Sequence, residues 1–319
     1  MGTNQKIVGV ILAAGRGNRM GPLGLNIPKP LLPVGNKPVI HYHVQYLKEL
    51  GIDEIIVVVG YLKEKIIESL GDGEKFGVKI RYINQEKALG IAHAVLQLEG
   101  IISSPFVLIL GDIFFIPKNF TDIIKNFIGK RAGGIIATIK EDSPEKIRNN
   151  FSVMLGSAGN VIRVIEKPIK VQNNLKGCGI YCFGLSFFDA LRRTPRTAMR
   201  DEYEITSALQ ILIDDHYPVY SIDILKWESN LTYPEDILKC NLEWLRYSGI
   251  ASLVGNGLKI HPDARIVNSV IGDYVVISKP INIVNSIVFS HTEIDDDKDL
   301  INTVLADNKV IRCNDVKCC

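Results

Sequence analysis

The sequence predicts an α/β fold in which a mixed, mainly parallel sheet carries helices on both faces, followed by a small parallel β-helix. Up to about residue 110, apolar strand-like segments alternate with amphipathic helix-like segments. Such alternation is typical of a parallel sheet covered by helices. Beyond about residue 250 the pattern changes to a repeat of seventeen residues. Repeats of about this length are typical of β-helix coils.

The first part of the chain contains four predicted strands and three predicted helices. The strands are Ile7–Ala13, Glu54–Val59, Val78–Ile83 and Phe106–Leu110, and the helices are Val39–Leu50, Leu62–Leu70 and Gly90–Leu98. Ligands of such sheets bind at the carboxyl ends of the strands. The loop after the first strand and Gly111-Asp112 after the fourth both fall at such ends, so we expect one site to contain both.

Residues 113–247 have a more mixed pattern. The predicted strands are Gly133–Ile139, Phe151–Leu155, Val161–Glu166 and Gly179–Phe183, and the predicted helices are Ser186–Leu191, Ile205–Ile213 and Pro234–Tyr247. We expect the last helix to close a first domain of residues 1–249, which leaves residues 250–319 as a second domain.

The tail repeats the pattern asparagine, serine or threonine, and two apolar residues, starting at Asn268, Asn285 and Asn302. Apolar residues also recur at fixed offsets. Ile277, Ile294 and Ile311 follow the three repeats, and residues six apart within a coil are Ile271, Ile277 and Ile283, then Val288, Ile294 and Leu300. The pattern resembles the hexapeptide repeats of left-handed parallel β-helices, and its length allows about three coils.

Composition excludes several classes of function. The 37 basic and 35 acidic side chains give a net charge of +2, which provides no field for nucleic acid or an acidic membrane. Apolar runs such as 55–59 are too short to span a bilayer. The first residues lack the apolar core of a signal peptide, so we expect a cytoplasmic protein. The six cysteines have irregular spacing without Cys-x-x-Cys, which indicates free thiols.

The loop that follows the first strand can wrap a polyphosphate. Gly15 and Gly17 allow close backbone approach, so that main-chain N–H groups can point at phosphate oxygens. Arg16, Arg19 and Lys29 add positive charge, and arginine suits bidentate contact with phosphate. A basic surface loop is the simpler alternative. The loop does not fit a dinucleotide fingerprint or a Walker loop.

Residues 11–38 as a whole are more specific. Ile11-Leu-Ala-Ala-Gly-Arg-Gly-Asn-Arg-Met, Pro22-Leu, Pro28-Lys-Pro-Leu-Leu-Pro and Lys37-Pro follow one another here. This stretch resembles the N-terminal motif of the sugar-1-phosphate nucleotidyltransferases (NDP-sugar pyrophosphorylases). Asn18 and Gly24 stand where that family usually has threonine. The resemblance extends over about residues 5–245 and implies a Rossmann-like nucleotidyltransferase domain that uses Mg²⁺.

The resemblance also implies residues that bind the nucleotide and the metal ion. The implied nucleotide-binding residues are Leu12, Ala13, Ala14, Gly15, Gly17, Gln85 and Gly90. Gln85 offers both a donor and an acceptor to a base edge. Asp112 matches the family's metal-binding aspartate, and a hard carboxylate suits Mg²⁺. For the second metal ligand, counting from Trp227 selects Ser229, and counting back from Thr232 selects Asn230, which we prefer. A plain turn aspartate and a loop asparagine are the alternatives.

The implied sugar-binding residues are Glu166, Asn174, Gly179 and Glu204, and the implied catalytic residues are Arg19, Lys29 and Lys167. The implied substrates are an NTP, with dTTP or UTP favoured by Gln85 and Asn230, and a sugar 1-phosphate, by default glucose 1-phosphate. Two other functions remain open: a catalytically silent nucleotide sensor or scaffold, and a bifunctional uridylyltransferase/acetyltransferase with His261 or His291 as a base. We expect a homo-oligomer formed through the β-helix.

Overall fold

The computed structural model describes residues 6–198, 201–307 and 309–313. By their internal contacts, the residues form two compact units. We call residues 1–15, 43–111 and 115–228 the sheet unit. We call residues 16–42, 112–114 and 229–319 the coil unit. It combines the tail with residues 16–42, which we call the glycine-lysine segment because they contain Gly17 and Lys29.

The helices and strands follow one another in mixed order up to residue 248. The α-helices are α1 Pro22–Asn26, α2 Val39–Glu49, α3 Lys63–Leu70, α4 Ile91–Leu96, α5 Asp122–Gly129, α6 Pro144–Arg148, α7 Phe187–Arg192, α8 Ile205–Asp214 and α9 Pro234–Ser248. The strands are β1 Val8–Ala13, β2 Pro33–Val34, β3 Lys37–Pro38, β4 Glu54–Val59, β5 Lys79–Asn84, β6 Phe106–Leu110, β7 Ile113–Pro117, β8 Gly134–Lys140, β9 Phe151–Leu155, β10 Val161–Glu166, β11 Leu175–Phe183, β12 Val219–Ile222 and β13 Leu225–Asn230. Short 3₁₀ turns occur at Asn18–Met20, Lys29–Leu31 and Glu74–Phe76.

Every strand and helix predicted for this part of the chain is present, with ends that differ by a few residues. The additional elements are mostly short. Helices α1 and α6 have five residues each and β2 and β3 have two, which is too few to show a periodic pattern. No helix among the described residues is long and apolar enough to cross a membrane.

The main sheet of the sheet unit has the order β10-β9-β11-β6-β1-β4-β5, and β8 joins β11 to β12. Strands β6, β1, β4 and β5 run parallel, whereas β11 is antiparallel to β6, β8 and β9. The predicted mixed sheet is therefore confirmed. Strands β1, β4 and β6 read as continuous apolar runs because they are buried on both faces.

The carboxyl ends of the parallel strands meet at one edge of the sheet. There the Gly111 N–H donates to the Leu12 carbonyl at 2.8 Å, and the Gln85 N–H donates to the Val59 carbonyl at 2.7 Å. A side chain added at Gly60 would come within 2.9 Å of the Ala14 carbonyl oxygen. Leu12, Ala14 and Gln85, three of the residues predicted to hold the nucleotide, thus lie along this edge.

The tail forms the parallel β-helix of the fold. Its strands are β14 Leu253–Val254, β15 Lys259–Ile260, β16 Arg265–Val267, β17 Val270–Ile271, β18 Val276–Ile277, β19 Asn282–Val284, β20 Ile287–Val288, β21 Glu293–Ile294, β22 Leu300–Ile301, β23 Thr303–Ala306 and β24 Lys309–Arg312. They form three sheets, and parallel partners such as Leu253, Val270, Ile287 and Val304 lie seventeen residues apart. The six apolar positions predicted within the coils share one buried core.

The recurring asparagine marks a corner of each coil. Asn268, Asn285 and Asn302 have φ values of 45°, 48° and 49°, a left-handed conformation that asparagine tolerates. The Asn268 amide donates to the Asn285 side-chain oxygen at 2.8 Å. The Ser269 hydroxyl accepts the N–H of Ser286, one coil later, at 3.0 Å. In the same way, the Ser286 hydroxyl accepts the Thr303 N–H at 3.0 Å. The Asn-Ser/Thr repeat therefore stitches one coil to the next.

The last apolar residue of the repeat differs from the two before it. Ile277 and Ile294 pair in parallel. By contrast, Ile311 lies in β24, which turns back and pairs antiparallel with β23, opposite Val304. A hairpin, rather than a further coil, ends the sheet. The sequence offset alone could not distinguish these outcomes because both place an apolar residue there.

Helix α9 holds the glycine-lysine segment within the coil unit. The Asn241 side chain is fully buried; it accepts the Gly35 N–H at 2.9 Å and donates to the Pro33 carbonyl at 2.9 Å. The tail contributes a third bond, since the Asn36 amide donates to the Ile271 carbonyl at 2.7 Å. The turn between β2 and β3 is therefore bonded to α9 through its backbone and to the β-helix through the Asn36 side chain.

We predict that Asn241→Leu lowers the free energy of unfolding by about 2–4 kcal/mol, because it leaves the half-buried Gly35 N–H and Pro33 carbonyl without their Asn241 partner. Urea denaturation measures the change. The same substitution at exposed Asn119 is the control and is expected to change the free energy by less than about 0.5 kcal/mol. Equal stability of the two variants would show that the Asn241 bonds do not secure the turn.

Candidate active site

The glycine loop of the coil unit is shaped around a lysine. Gly17 has a left-handed φ of 66°, and a Cβ atom there would lie 3.0 Å from Cγ of Lys29. A Cβ atom at Gly24 would lie 2.9 Å from the Gly17 carbonyl oxygen. The Gly24 that replaces a threonine of the family motif thus lets α1 approach the loop closely. Gly17 in turn leaves room for the Lys29 side chain.

Lys29 and Asp112 form an ion pair, with Nζ 3.1 Å from Oδ2. The two partners differ in exposure: 11% of the Lys29 side chain is accessible, against 43% of the Asp112 side chain. The lysine stem is enclosed by the loop, while the carboxylate faces solvent. Lys29 therefore holds a buried charge near a carboxylate that a solute can reach.

Asn230 ends β13, beside the residue that precedes β7. The Leu231 N–H donates to the Asp112 carbonyl at 2.8 Å, so the residue after Asn230 is bonded directly to Asp112. Ser229 lies one position earlier on the same strand, and both residues are half-buried. Among the described residues, no cluster of three or more His, Cys, Asp or Glu side chains could hold a metal. Mg²⁺ needs only one or two protein oxygens when phosphates supply others, so this donor set fits it.

Arg19 is exposed on the 3₁₀ turn that follows Gly17. Its guanidinium carbon lies 5.9 Å from the centre of the Tyr233 ring. No carboxylate of the described residues pairs with Arg19 or Arg16. The loop therefore presents positive charge that is not neutralised within these residues, as a polyphosphate site requires.

In the sheet unit, the predicted base-recognition segment is fixed by Tyr203. The Tyr203 carbonyl accepts the Ala92 N–H at 2.9 Å, and its N–H donates to the Leu89 carbonyl at 2.8 Å. The Gln85 amide nitrogen lies 3.5 Å from Nδ1 of His93, whose ring stacks on Tyr203. Burial lowers the pKa of His93, which favours its neutral form at pH 7. His93 therefore packs between Gln85 and Tyr203.

Glu166 and Glu204 are both associated with the start of α8. Glu204 is buried at the N-cap position, and the Thr206 hydroxyl donates to Oε2 of Glu166 at 3.2 Å. The positive end of a helix dipole stabilises carboxylates there. Lys167 follows with a φ of 41°, unusual for a residue with a side chain, and its N–H donates to the Asn150 carbonyl at 2.8 Å. Backbone strain of this kind is common at functional sites.

Asn174 immediately precedes β11, and Gly179 lies in the middle of that strand. The Asn174 carbonyl accepts the Glu141 N–H at 2.8 Å. Between them, buried Lys176 pairs with Glu228 and lies 3.8 Å from Glu141. Burial opposes the charge of Lys176, but the neighbouring carboxylates outweigh it and raise the pKa of the ammonium group. Sequence reasoning missed this charge network, because an isolated Lys on an apolar strand gives no sign of its partners.

The predicted site residues thus fall into two sets. The coil unit brings together Gly17, Arg19, Lys29, Asp112 and Asn230, and the sheet unit holds Leu12, Ala13, Ala14, Gly15, Gln85, Gly90, Glu166, Lys167, Asn174, Gly179 and Glu204. The sequence did not single out Thr206, which bonds Glu166, or Tyr233, which lies against Arg19. Thr206 could have been found from its place in Asp201-Glu-Tyr-Glu-Ile-Thr206, next to the chosen Glu204.

The cysteines have no disulfide among the described residues, where Cys178, Cys182, Cys240 and Cys313 are all buried. Burial raises the pKa of the Cys178 and Cys182 thiols, and that of Cys313 to about 11. Such thiols are poor nucleophiles and poor metal ligands at pH 7. Cys318 and Cys319 lie outside the described residues.

Comparison with known proteins identifies relatives that match about three quarters of the chain. A nucleotidyltransferase named for low-salt glycan biosynthesis, Agl11 of Haloferax volcanii, is 38% identical over 236 residues, which are 73% of this chain and 64% of that protein. The UTP–glucose-1-phosphate uridylyltransferase AglF of the same organism is 37% identical over 71% of this chain and 92% of its own length.

A similar solved structure is that of a Bacillus anthracis protein described as a glucose-1-phosphate thymidylyltransferase, in complex with sucrose. It superposes with a TM-score of 0.67 at 26% identity and covers 74% of this chain and 94% of that one. The profile of the family named Nucleotidyl transferase matches residues 8–244. The match contains both sets of site residues, from the glycine loop to the strand that ends at Asn230, and the chain belongs to the nucleotidyl transferase family.

Proposed function

We propose that this enzyme transfers a nucleotidyl group from an NTP to a sugar 1-phosphate, forming an NDP-sugar and releasing pyrophosphate. The observation that carries the proposal is the Lys29–Asp112 pair beside the glycine loop. The pair supports the proposal because an ammonium group, which suits a phosphate, lies beside an accessible carboxylate, which suits Mg²⁺. The names of the relatives, a uridylyltransferase and a thymidylyltransferase acting with glucose 1-phosphate, support the same reaction class.

The reaction needs no general base. A phosphate monoester is already largely dianionic at pH 7, since its second pKa is about 6. The sugar phosphate can therefore attack the α-phosphorus directly, in line with the departing pyrophosphate. Catalysis then consists of positioning the two phosphates and neutralising their charge.

Each charged residue takes one part of this task. Arg19 binds the β- and γ-phosphates and the leaving pyrophosphate, Lys29 binds the α-phosphate, and Lys167 binds the sugar phosphate. The glycine loop, with Leu12, Ala13, Ala14, Gly15 and Gly17, cradles the triphosphate. The base contacts Gln85 and Gly90, and the sugar contacts Glu166, Asn174, Gly179 and Glu204.

Asp112 and Asn230 would hold Mg²⁺, with Ser229 as the alternative second ligand. When bound, the ion would neutralise charge on the phosphates. Because Lys29 pairs with Asp112 in this structure, the ammonium group must exchange the carboxylate for the α-phosphate as the substrates bind. Lys29 thereby exchanges one anionic partner for another and stays neutralised throughout.

For the substrates we propose dTTP or UTP and, by default, glucose 1-phosphate. A silent sensor is disfavoured because a degenerate relative is expected to lose charged positions, whereas Arg19, Lys29, Asp112 and Lys167 are all present. An acetyltransferase activity of the tail is disfavoured by its histidines. His291 stacks on Tyr274, and His261 accepts the Asp263 N–H within its own turn. We propose further a division at residue 249 between a catalytic domain and a left-handed hexapeptide-repeat domain, and a cytoplasmic location.

The proposal predicts pyrophosphate release that requires both an NTP and a sugar 1-phosphate, measured with a coupled assay over a panel of each. Arg19→Ala should lower kcat/KM by about a hundredfold or more, because one charge contact to the leaving group is lost. Arg246→Ala removes an exposed arginine of α9 that pairs with Glu243 and is the matched control. No release with any pair of substrates would refute the reaction. Normal turnover of Arg19→Ala would refute only the role of that residue.

The ion pair predicts coupling between metal and nucleotide. Lys29→Met should strengthen binding of Mn²⁺ alone by about threefold to tenfold, because Asp112 loses its competing partner, while turnover falls by about a hundredfold. Electron paramagnetic resonance measures free Mn²⁺ directly. Lys118→Met, which removes the partner of exposed Asp223, is the control and should leave Mn²⁺ affinity unchanged. Weaker Mn²⁺ binding in Lys29→Met would contradict competition for Asp112.

We also propose that the chain forms a homo-oligomer through the tail. The first coil presents β14, β15 and β16 with one edge unpaired among the described residues, and Val254, Ile260 and Val267 are exposed there. Open strand edges are usually covered by another element or another chain. Light scattering after gel filtration should give a multiple of the 35.4 kDa chain mass. A single-chain mass at tens of micromolar would reject the proposal.

A further inference from the structure

Arg19 sits on a short turn with little to restrain it. The three-residue turn Asn18–Met20 is bounded by Gly17 and Gly21, both with positive φ. A long arginine side chain on such a turn has considerable rotamer freedom, which must be lost when it binds a phosphate. Any group that holds the guanidinium in place before the nucleotide arrives lowers that cost.

Tyr233 is placed to hold it. Its ring centre lies 5.9 Å from the Arg19 guanidinium carbon, within the range of a cation–π contact. The ring is 50% exposed, so it adds little to a buried core. An aromatic ring at the surface, directly beneath an arginine without a carboxylate partner among the described residues, has the position expected of a support for that arginine.

The backbone at Tyr233 is itself fixed. Oδ2 of Asp236 accepts the N–H groups of Thr232 and Tyr233 at 2.8 and 2.7 Å, and Pro234 starts α9. Asp236 thereby caps the helix and joins it to the strand that ends at Asn230. The Tyr233 ring thus extends from a rigid helix start, whereas Arg19 extends from a glycine-bounded turn.

We infer that Tyr233 is a positioning residue, which orients Arg19 by cation–π contact toward the phosphates that leave as pyrophosphate. The inference rests on the proposed function, and specifically on the role of Arg19. A phenylalanine would support the guanidinium equally well, because the contact uses the face of the ring and not the hydroxyl group. An aliphatic side chain would not.

The test compares Tyr233→Leu with Tyr233→Phe in the full-length enzyme. Tyr233→Leu should lower kcat/KM for the NTP by about fivefold to thirtyfold, the range between an exposed and a desolvated cation–π contact, and weaken inhibition by pyrophosphate to a similar extent. Tyr233→Phe should retain both within about twofold. Tyr247→Leu is the matched control, since Arg246 stacks on Tyr247 at 4.1 Å on the same helix.

A double-mutant cycle separates this inference from the proposed function. In an Arg19→Ala background, Tyr233→Leu should have no further effect, because the group that it supports is gone. An equal loss in both backgrounds, or failure of Tyr233→Phe to restore activity, would overturn the inference. If Arg19→Ala is impaired and Tyr233→Leu is normal, the inference fails and the proposed function stands. If Arg19→Ala is itself normal, the assigned role of Arg19 fails first.

Discussion

The pairing of Lys29 with Asp112 joins the two charged groups around which the proposed phosphate and metal site of the coil unit is arranged. It joins two segments that lie 83 residues apart in the sequence. Both segments are also fixed through their backbones. Helix α9 and the β-helix bond the turn just after Lys29, and the residue that follows Asn230 bonds the Asp112 carbonyl. Each partner is therefore restrained by bonds other than the ion pair. The ion pair forms because these bonds hold the two segments side by side.

The close packing of these segments also restricts two glycines near Lys29. A side chain at position 17 would crowd the Lys29 side chain, and one at position 24 would crowd the carbonyl oxygen of Gly17. Both positions therefore favour glycine. The charged side chain of Lys29 is thus placed beside a glycine, Gly17, which has no side chain to obstruct it. Arg19 differs, because its neighbour Tyr233 has a ring, which we propose supports the guanidinium.

Much of the fold could be predicted from the sequence because its signals are local. Strands β1, β4 and β6 are buried runs of apolar residues, and the seventeen-residue repeat directly gives the coil register. The residues that we propose for phosphate binding could also be selected from the sequence, since glycine, arginine and lysine are the residue types that suit phosphate. The roles assigned to the site residues nevertheless stay predictions.

The features that could not be predicted depend on contacts between distant segments. Nothing near Lys176 reveals that Glu228 neutralises it, and nothing near Asn241 reveals that it bonds Pro33 and Gly35. The return of the chain after residue 306 was missed for a different reason. Ile311 stands at the offset that the repeat requires, but it lies in a strand that runs antiparallel to its neighbour. The sequence pattern is the same in both cases.

That hairpin has a consequence for how the tail can change in length. Strand β24 occupies the edge of β23 where a further coil would have to pair. Duplication of a whole repeat is therefore compatible with the structure only upstream of residue 303, where each new seventeen-residue segment finds a parallel partner on both sides. Added at the C-terminus, the same segment would meet an occupied edge. The hairpin sets a fixed end for the β-helix, and elongation by repeat insertion has to proceed from within.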